Sequence, residues 1–369
     1  MPRRRGSGAQ GRRGKEKWSM DYTLVKQVRD NAPLRESFFA LARRVFGLSF
    51  EEWHRAGWWT DRYVPYTMVY RDGSAAANVS VNRIDTVWRG EALRLVQLGT
   101  VMTAPAHRGK GLARSLMEAV LDDWGRTCDG VYLYANGTVL EFYPKFGFVP
   151  AREHVCTLPL PARDAAPAEG GFARLDMDTQ AGRALLLRCY ERSHPFSALP
   201  MLDNPGLLMF YCSGFLKDCV YYSSAYDLAC VATEEDGVFT CCDFFGTGRC
   251  TLEQAVCAAA SAASPGAARA ELGFTPRKCR RIRPRARAGR RPFVRAGGRS
   301  EYFCGRPRDA AAAFPCLNAA PQNIKKKGGQ KKASPFSPSP VTGALTGVRP
   351  GWALKTIGTQ SPPPWPQWQ

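Results

Sequence analysis

The chain has 369 residues and a formal charge of +20, but the excess lies at its ends: 1–17 hold seven Lys/Arg against one acid, 277–369 hold twenty against two, and 18–276 carry 25 basic and 29 acidic side chains. A mildly acidic body between basic tails argues against a dedicated nucleic-acid-binding domain, and the 18 basic residues of 277–332 would give only salt-dependent, non-specific association. Thirteen cysteines without a Cys-x-x-Cys pair, four scattered histidines, no 18-residue apolar run and a basic N-terminus lacking an apolar core speak against a metal centre, a membrane span and a secretory signal, so reduced thiols and a cytoplasmic location are expected.

Periodic structure begins near Trp18. Leu34, Phe38, Leu41 and Phe46 recur at helical spacing and stop at Gly47, and a short second helix is expected over 50–57. Three strand-like runs follow, at 66–73 (closing on Asp-Gly), 76–84 and 92–105. A helix then carries Leu112, Leu116, Met117, Val120, Leu121 and Trp124 on one face and ends at Gly125. A strand over 130–136 and a short helix over 139–143 complete this part, with Thr138 and Glu141 in a capping-box pattern and Pro144 ending or bending the helix just after Tyr143.

Beyond a linker at 161–171, weaker signals predict a helix over 182–193, a hairpin turned at 235–237, a helix over 252–263 and a last strand at 268–274. At Pro276 the composition breaks into Arg-, Ala-, Gly- and Pro-rich sequence that cannot bury enough apolar surface to offset chain entropy. The break also resembles translation in a shifted reading frame. Four regions result: a disordered basic N-terminus (1–17), an α/β domain (18–155), a smaller α/β unit (156–276) and a disordered Arg/Pro-rich tail (277–369).

The segment TAPAHRGKGLARSL, 103–116, places two glycines among basic side chains where a strand gives way to a helix. A Walker loop fails, because Lys110 is followed by Gly111 and no glycine stands five residues before Gly109; a dinucleotide fingerprint fails at Arg114. What remains is a strand, a bend at Pro105 and a glycine-opened helix start, where backbone amides and the helix dipole hold an anion. Arg108, Lys110 and Arg114 add charge, although a βα turn with solvated basic residues would show the same letters.

Here the sequence resembles the GNAT (GCN5-related N-acetyltransferase) superfamily, as a bacterial-type member with a C-terminal extension. Arg108-Gly109-Lys110-Gly111-Leu112-Ala113 fits the acyl-CoA signature Arg/Gln-x-x-Gly-x-Gly/Ala, and Asn136 is followed seven residues later by Tyr143 and then by Gly147-Phe148. The resemblance covers about 21–150. It implies a mixed, splayed central sheet flanked by helices, with acetyl-CoA as cosubstrate, no metal, and an amine-bearing acceptor of unknown kind.

By the same resemblance, backbone at Val101 and Thr103 pairs with pantetheine, the amides of 109–114 hold pyrophosphate, Asn136 meets the pantetheine arm, and Tyr143 protonates the departing thiolate. Gln97 departs from the family pattern. It stands where many members carry a glutamate base, which leaves the base unassigned among water, Glu141, Asp85 and His107. The expected activity is acyl transfer, most simply acetyl transfer, to a primary amine by direct attack in a ternary complex; the alternative is a non-catalytic acyl-CoA sensor of the same fold. The aromatic cluster Trp53, Trp58, Trp59, Tyr63 and Tyr66 reads either as one wall of the acceptor site or as core. Residues 156–276 contain no second Arg-x-x-Gly-x-Ala, so one acyl-CoA site per chain is expected, and whether they are a degenerate second copy stays open.

Overall fold

The computed structural model describes residues 21–135, 139–151, 154–161, 170–277, 283–286 and 291–296, all within one compact unit spanning Met1–Ala320. Asn136, the Thr138 cap, residues 1–17, most of the linker and everything from 297 onward lie outside the described residues. Strand β1 (Tyr22–Val25) leads into α1 (Ala32–Phe46), where Asn31 accepts from Leu34 N at 3.1 Å and Gly47 closes the C-terminus in the left-handed region. After α2 (Glu51–Arg55), strands β2 (Tyr63–Tyr70), β3 (Ala75–Trp88) and β4 (Glu91–Thr103) form an antiparallel meander. Positive φ at Arg89 and Gly90 gives β3 and β4 a two-residue turn whose twist matches the hairpin.

Helix α3 (Leu112–Trp124) crosses back to β5 (Gly130–Ala135), which pairs parallel with β4. Tyr143–Phe146 then form a 3-10 turn before β6 (Val149–Pro150), not the helix expected over 139–143. Pro144 explains the difference: it lacks a donor, so it is tolerated in a first turn and not at the end of a longer helix.

The second half comprises β7 (His154–Pro159), β8 (Ala173–Arg174), α4 (Gln180–Arg192), α5 (Pro205–Phe210), a π-turn at Tyr211–Phe215, and β9 (Val220–Ser223). β10 (Leu228–Glu235) and β11 (Val238–Gly246) form the hairpin expected at 235–237, with positive φ at Asp236 and Gly237; α6 (Leu252–Ala263) and β12 (Arg269–Leu272) follow. The tail read as disordered from 277 contributes two further strands, β13 (Arg283–Ala286) and β14 (Arg291–Ala296). Pairing with existing edges supplies the backbone partners and burial that this composition cannot generate alone, and Val294 is 2% exposed.

The first sheet runs β1-β2-β3-β4-β5-β14-β6 and the second, from its opposite end, β8-β9-β10-β11-β12-β7-β13. In both, four strands pair antiparallel, the fifth is parallel to the fourth after a helical crossover, and two antiparallel strands finish the sheet. The second half therefore repeats the topology of the first, α6 standing where α3 stands. The sixth-place strands are exchanged: β7 leaves the first unit for the second sheet, and β14 returns from beyond the second to lie against β5.

Four apolar clusters hold this arrangement. One packs Leu112, Leu116, Met117 and Val120 of α3 onto Val79, Val81, Val96 and Leu98, and another packs α6 onto the second sheet. A third joins the halves, setting Ile84, Leu95 and Tyr132 against Leu207, Met209 and Phe245. The fourth holds Phe38, Phe50, Trp53, Trp59 and Tyr63. The tryptophans expected as a possible acceptor wall are largely core: Trp53 is 7% exposed and its indole donates to Gly206 O at 2.7 Å.

Candidate acyl-CoA site

Strand β4 pairs with two neighbours at its start and one at its end. Its parallel partners on β5 run from Leu95↔Gly130 to Leu98↔Leu133, while pairing with β3 continues to Thr103↔Ala77. Beyond Leu98 the strands part, as the resemblance implied. On the β3 side the register skips Thr100 and Val101, and Thr100 adopts φ 44°, a conformation costly for a β-branched residue. Hydrogen bonds hold the bulge: Asn78 Nδ2 donates to Thr100 O at 3.1 Å, and the Tyr63 hydroxyl meets Thr100 Oγ1 at 2.8 Å.

A 3-10 turn at Pro105–His107 leads from β4 to the glycines. Gly109 and Gly111 both stand at φ 74°, where a Cβ is strained, so glycine is required by the backbone path itself. Gly111 is the N-cap of α3 and offers no side-chain cap; the first intrahelical bond is Ser115 N to Gly111 O, leaving the amides of Leu112, Ala113 and Arg114 ahead of it. At the equivalent position of the second half, the start of α6 is sealed by a capping box. Gln254 N donates to Thr251 Oγ1 at 3.2 Å, and Thr251 N donates to Gln254 Oε1 at 2.8 Å. Of two equivalent helix starts, α3 is built open and α6 is built closed.

The motif side chains divide by role. Leu112 is 2% exposed and packs in the core, so only its backbone can face a ligand. Arg108 turns back, its Nε donating to Thr103 O at 3.4 Å, which ties the loop to the end of β4. Lys110 Nζ donates to the Tyr22 hydroxyl at 3.0 Å, and that hydroxyl also meets His107 Nδ1 at 2.8 Å. His107 therefore braces the loop, and Arg114 is exposed beside the helix start. Val101 lies within the bulge, whereas Thr103 is paired with Ala77.

Tyr143 lies in the same apolar cluster as Leu98, Leu133 and Ala135, with Val101 packed at its rim, at the end of the sheet where β4 and β5 part. Burial pushes its phenol up to about 12, so it stays protonated through the physiological range. Gln97 is 7% exposed and its Oε1 accepts from Asn82 Nδ2 at 3.3 Å. Asn82 is a residue that sequence reading passed over, because only the cross-strand register brings it to Gln97. Of the candidate bases, Asp85 is held by Arg62 Nη1 at 2.6 Å. Among the described residues no group of His, Cys, Asp and Glu could hold a metal ion, and no helix is long and apolar enough to cross a membrane.

Among curated proteins no sequence match is found. Solved structures similar to the chain include a conserved protein from Enterococcus faecalis V583 described as a probable N-acyltransferase, with TM-score 0.51 and 14% identity over 74% of this chain and 72% of that one. A GCN5-related N-acetyltransferase from Kribbella flavida aligns with TM-score 0.46 and 18% identity over 75% and 71%, and one from Anabaena variabilis with TM-score 0.46 and 13% identity over 74% and 72%. The first of these shares the fold. Residues 33–151 match the family model described as the acetyltransferase (GNAT) domain, and this part of the chain is a GNAT acetyltransferase domain.

Proposed function

We propose that the protein is an acyl-CoA-dependent N-acyltransferase that moves an acetyl group from acetyl-CoA to a primary amine. The observation that carries this reading is the open start of α3, with Gly109 and Gly111 in the left-handed region and no side-chain cap, set at the end of a strand that has parted from its neighbour. The pyrophosphate would accept from the amides of 109–114, with Arg114 and Lys110 adding positive charge. The thioester arm would lie in the gap between β4 and β5, against the bulge at Thr100 and Val101. Asn136, outside the described residues, would meet the pantetheine.

In the ternary complex the free amine attacks the thioester carbonyl, the new C–N bond forms and the C–S bond breaks, the surplus N–H proton passes to water, and Tyr143 gives its proton to the leaving thiolate and regains one from solvent. A tyrosine phenol is protonated at neutral pH and can act as the donor. Gln97 cannot act as a base, and this one feature favours the second reading, an acyl-CoA sensor without turnover. Turnover with an amine separates the two.

The test is calorimetric titration of acetyl-CoA into the full chain and into Gly111→Glu, with thermal melts to show that the variant is folded. Tight binding by the parent and a loss of at least about a hundredfold in the variant are expected, since the substitution puts a carboxylate where pyrophosphate would lie. A folded parent that does not bind acetyl-CoA overturns the proposal.

A further inference from the structure

The sheet face opposite α3 carries a buried hydrogen-bond acceptor that meets no partner among the described residues. Val79, Val81, Val96 and Leu98 face α3, so strand alternation turns Asn82 and Gln97 to the other side, where Leu95 and Tyr132 also lie. Asn82 and Gln97 are paired in register and hydrogen-bonded, and Asn82 is 6% exposed. Its remaining acceptor, Oδ1, is buried without a hydrogen-bond partner among the described residues, an arrangement that costs stability unless something fills it. The carboxamide sits where β4 leaves β5. Leu98 is the last residue of β4 paired to β5, and a Cβ on the next residue, Gly99, would lie 3.8 Å from Asn82 Nδ2.

The side chains that share this face of β3 are uncharged. Toward the bulge stand Asn78, Ser80 and Thr100, with Asn78 Nδ2 donating to Ser80 Oγ at 2.9 Å. Burial pushes the Tyr63 phenol up to about 12 and raises that of Tyr132 further, and Tyr211 packs against the same cluster. The thiol of Cys212, in that cluster, is likewise raised by burial. Asp85, further along β3, is engaged by Arg62, and the buried Asp243 of the second sheet faces His194 at 3.9 Å. The buried carboxylates among the described residues are both engaged, Asp129 by Arg94 N at 2.7 Å and Asp243 by His194, so an ammonium at Asn82 would be an unaccompanied buried charge, which costs several kcal/mol.

We infer that the acceptor is a weakly basic amine of the arylamine or hydrazide type, which enters as the free base and donates an N–H to Asn82 Oδ1. This rests on the transferase reading above. An alkylamine ionising near 10.4 is neutral in only about one molecule in 2,500 at pH 7, whereas an arylamine is neutral throughout. Once the nitrogen has bonded to the carbonyl carbon, its N–H is strongly acidic and passes to water. The thiolate takes its proton from Tyr143, the amide and the CoA thiol leave, and Tyr143 is reprotonated from the water that took the N–H proton. A carboxamide at position 97 then suffices where a carboxylate would serve a lysine-like amine.

The experiment measures CoA-thiol release by the full chain with aniline and with cyclohexylamine, two six-carbon amines of similar size and opposite basicity, from pH 6.5 to 9. Aniline is expected to have the higher kcat/KM at pH 7 with a flat pH profile, while the rate with cyclohexylamine rises about tenfold per pH unit. Asn82→Ala should lose about tenfold in kcat/KM for aniline with acetyl-CoA affinity unchanged, the value of one hydrogen bond of about 1.4 kcal/mol. Asn82→Asp should shift preference toward cyclohexylamine at pH 7, which a merely structural role would not do. Cyclohexylamine preferred by the parent at pH 7, or both amines inert while acetyl-CoA is bound, overturns the inference and leaves the acyl-CoA site standing. Absence of acetyl-CoA binding overturns the transferase reading and this one with it.

Discussion

Gly111 and Tyr143 would serve the proposed reaction in different ways. At Gly111 the backbone angle is the property: at φ 74° the chain turns into α3 with its first amides facing outward. At Tyr143 the environment is the property, since burial raises the phenol above its ordinary value. Tyr143→Phe should lower kcat by about 10²–10⁴ with acetyl-CoA affinity unchanged, measured by steady-state kinetics beside calorimetry. Its pH signature has a defined sign. The folded value, about 12, lies above the ordinary value near 10, so folding favours the neutral phenol. Stability is unaffected below about pH 10 and falls between about 10 and 12 as only the unfolded phenol ionises. Denaturant midpoints across that window should decline less in Tyr143→Phe than in the parent. Gln97 was legible in the sequence as a departure from a pattern; Asn82 was not, because a residue fifteen positions away becomes its partner only through the β3–β4 register.

At the scale of elements, α3 and α6 are two solutions to one geometric problem. Each starts where a strand leaves the sheet, and each must satisfy amides that have no intrahelical acceptor. In α6 the Thr251–Gln254 box does so within the chain, whereas α3 has no side-chain cap, the feature on which the proposed pyrophosphate site rests. Thr251→Ala should cost about 1 kcal/mol, read as a lower denaturation midpoint, and acetyl-CoA affinity should not change. The helices α1 and α3 were legible from apolar spacing and from the glycine that follows each run, and α6 as a weaker signal over 252–263. The helix expected over 139–143 is instead non-helical chain leading into a 3-10 turn at Tyr143–Phe146, because Pro144 takes a first-turn position and so starts the turn rather than ending a helix.

For the whole molecule, exchange of the sixth-place strands makes the two halves interdependent. β14 covers the β5 edge from Gly130 to Ala135, and without it that edge would present unpaired backbone. Truncation after residue 290 should therefore lower the melting temperature and increase light scattering, whereas truncation after 320 leaves both sheets intact and should do neither. A fragment ending at 276 would lack the same strand, so binding studies call for the longer chain. Equal melting of the two truncations would show that β14 contributes nothing to the first sheet.

The sequence by itself determined the local features: most helix and turn boundaries, the glycines that take the left-handed turn before α3, the 108–113 and 136–143 spacings, and the placing of excess charge outside the body. These follow from rules that operate within a few residues, namely periodicity, capping and allowed φ. Tertiary structure alone decided the repeat of topology in the second half, the exchange of strands, the pairing of Gln97 with Asn82 and the incorporation of a basic tail segment into a sheet. Each of those depends on contacts between residues far apart in the chain, where register and edge availability, not local propensity, select the partner.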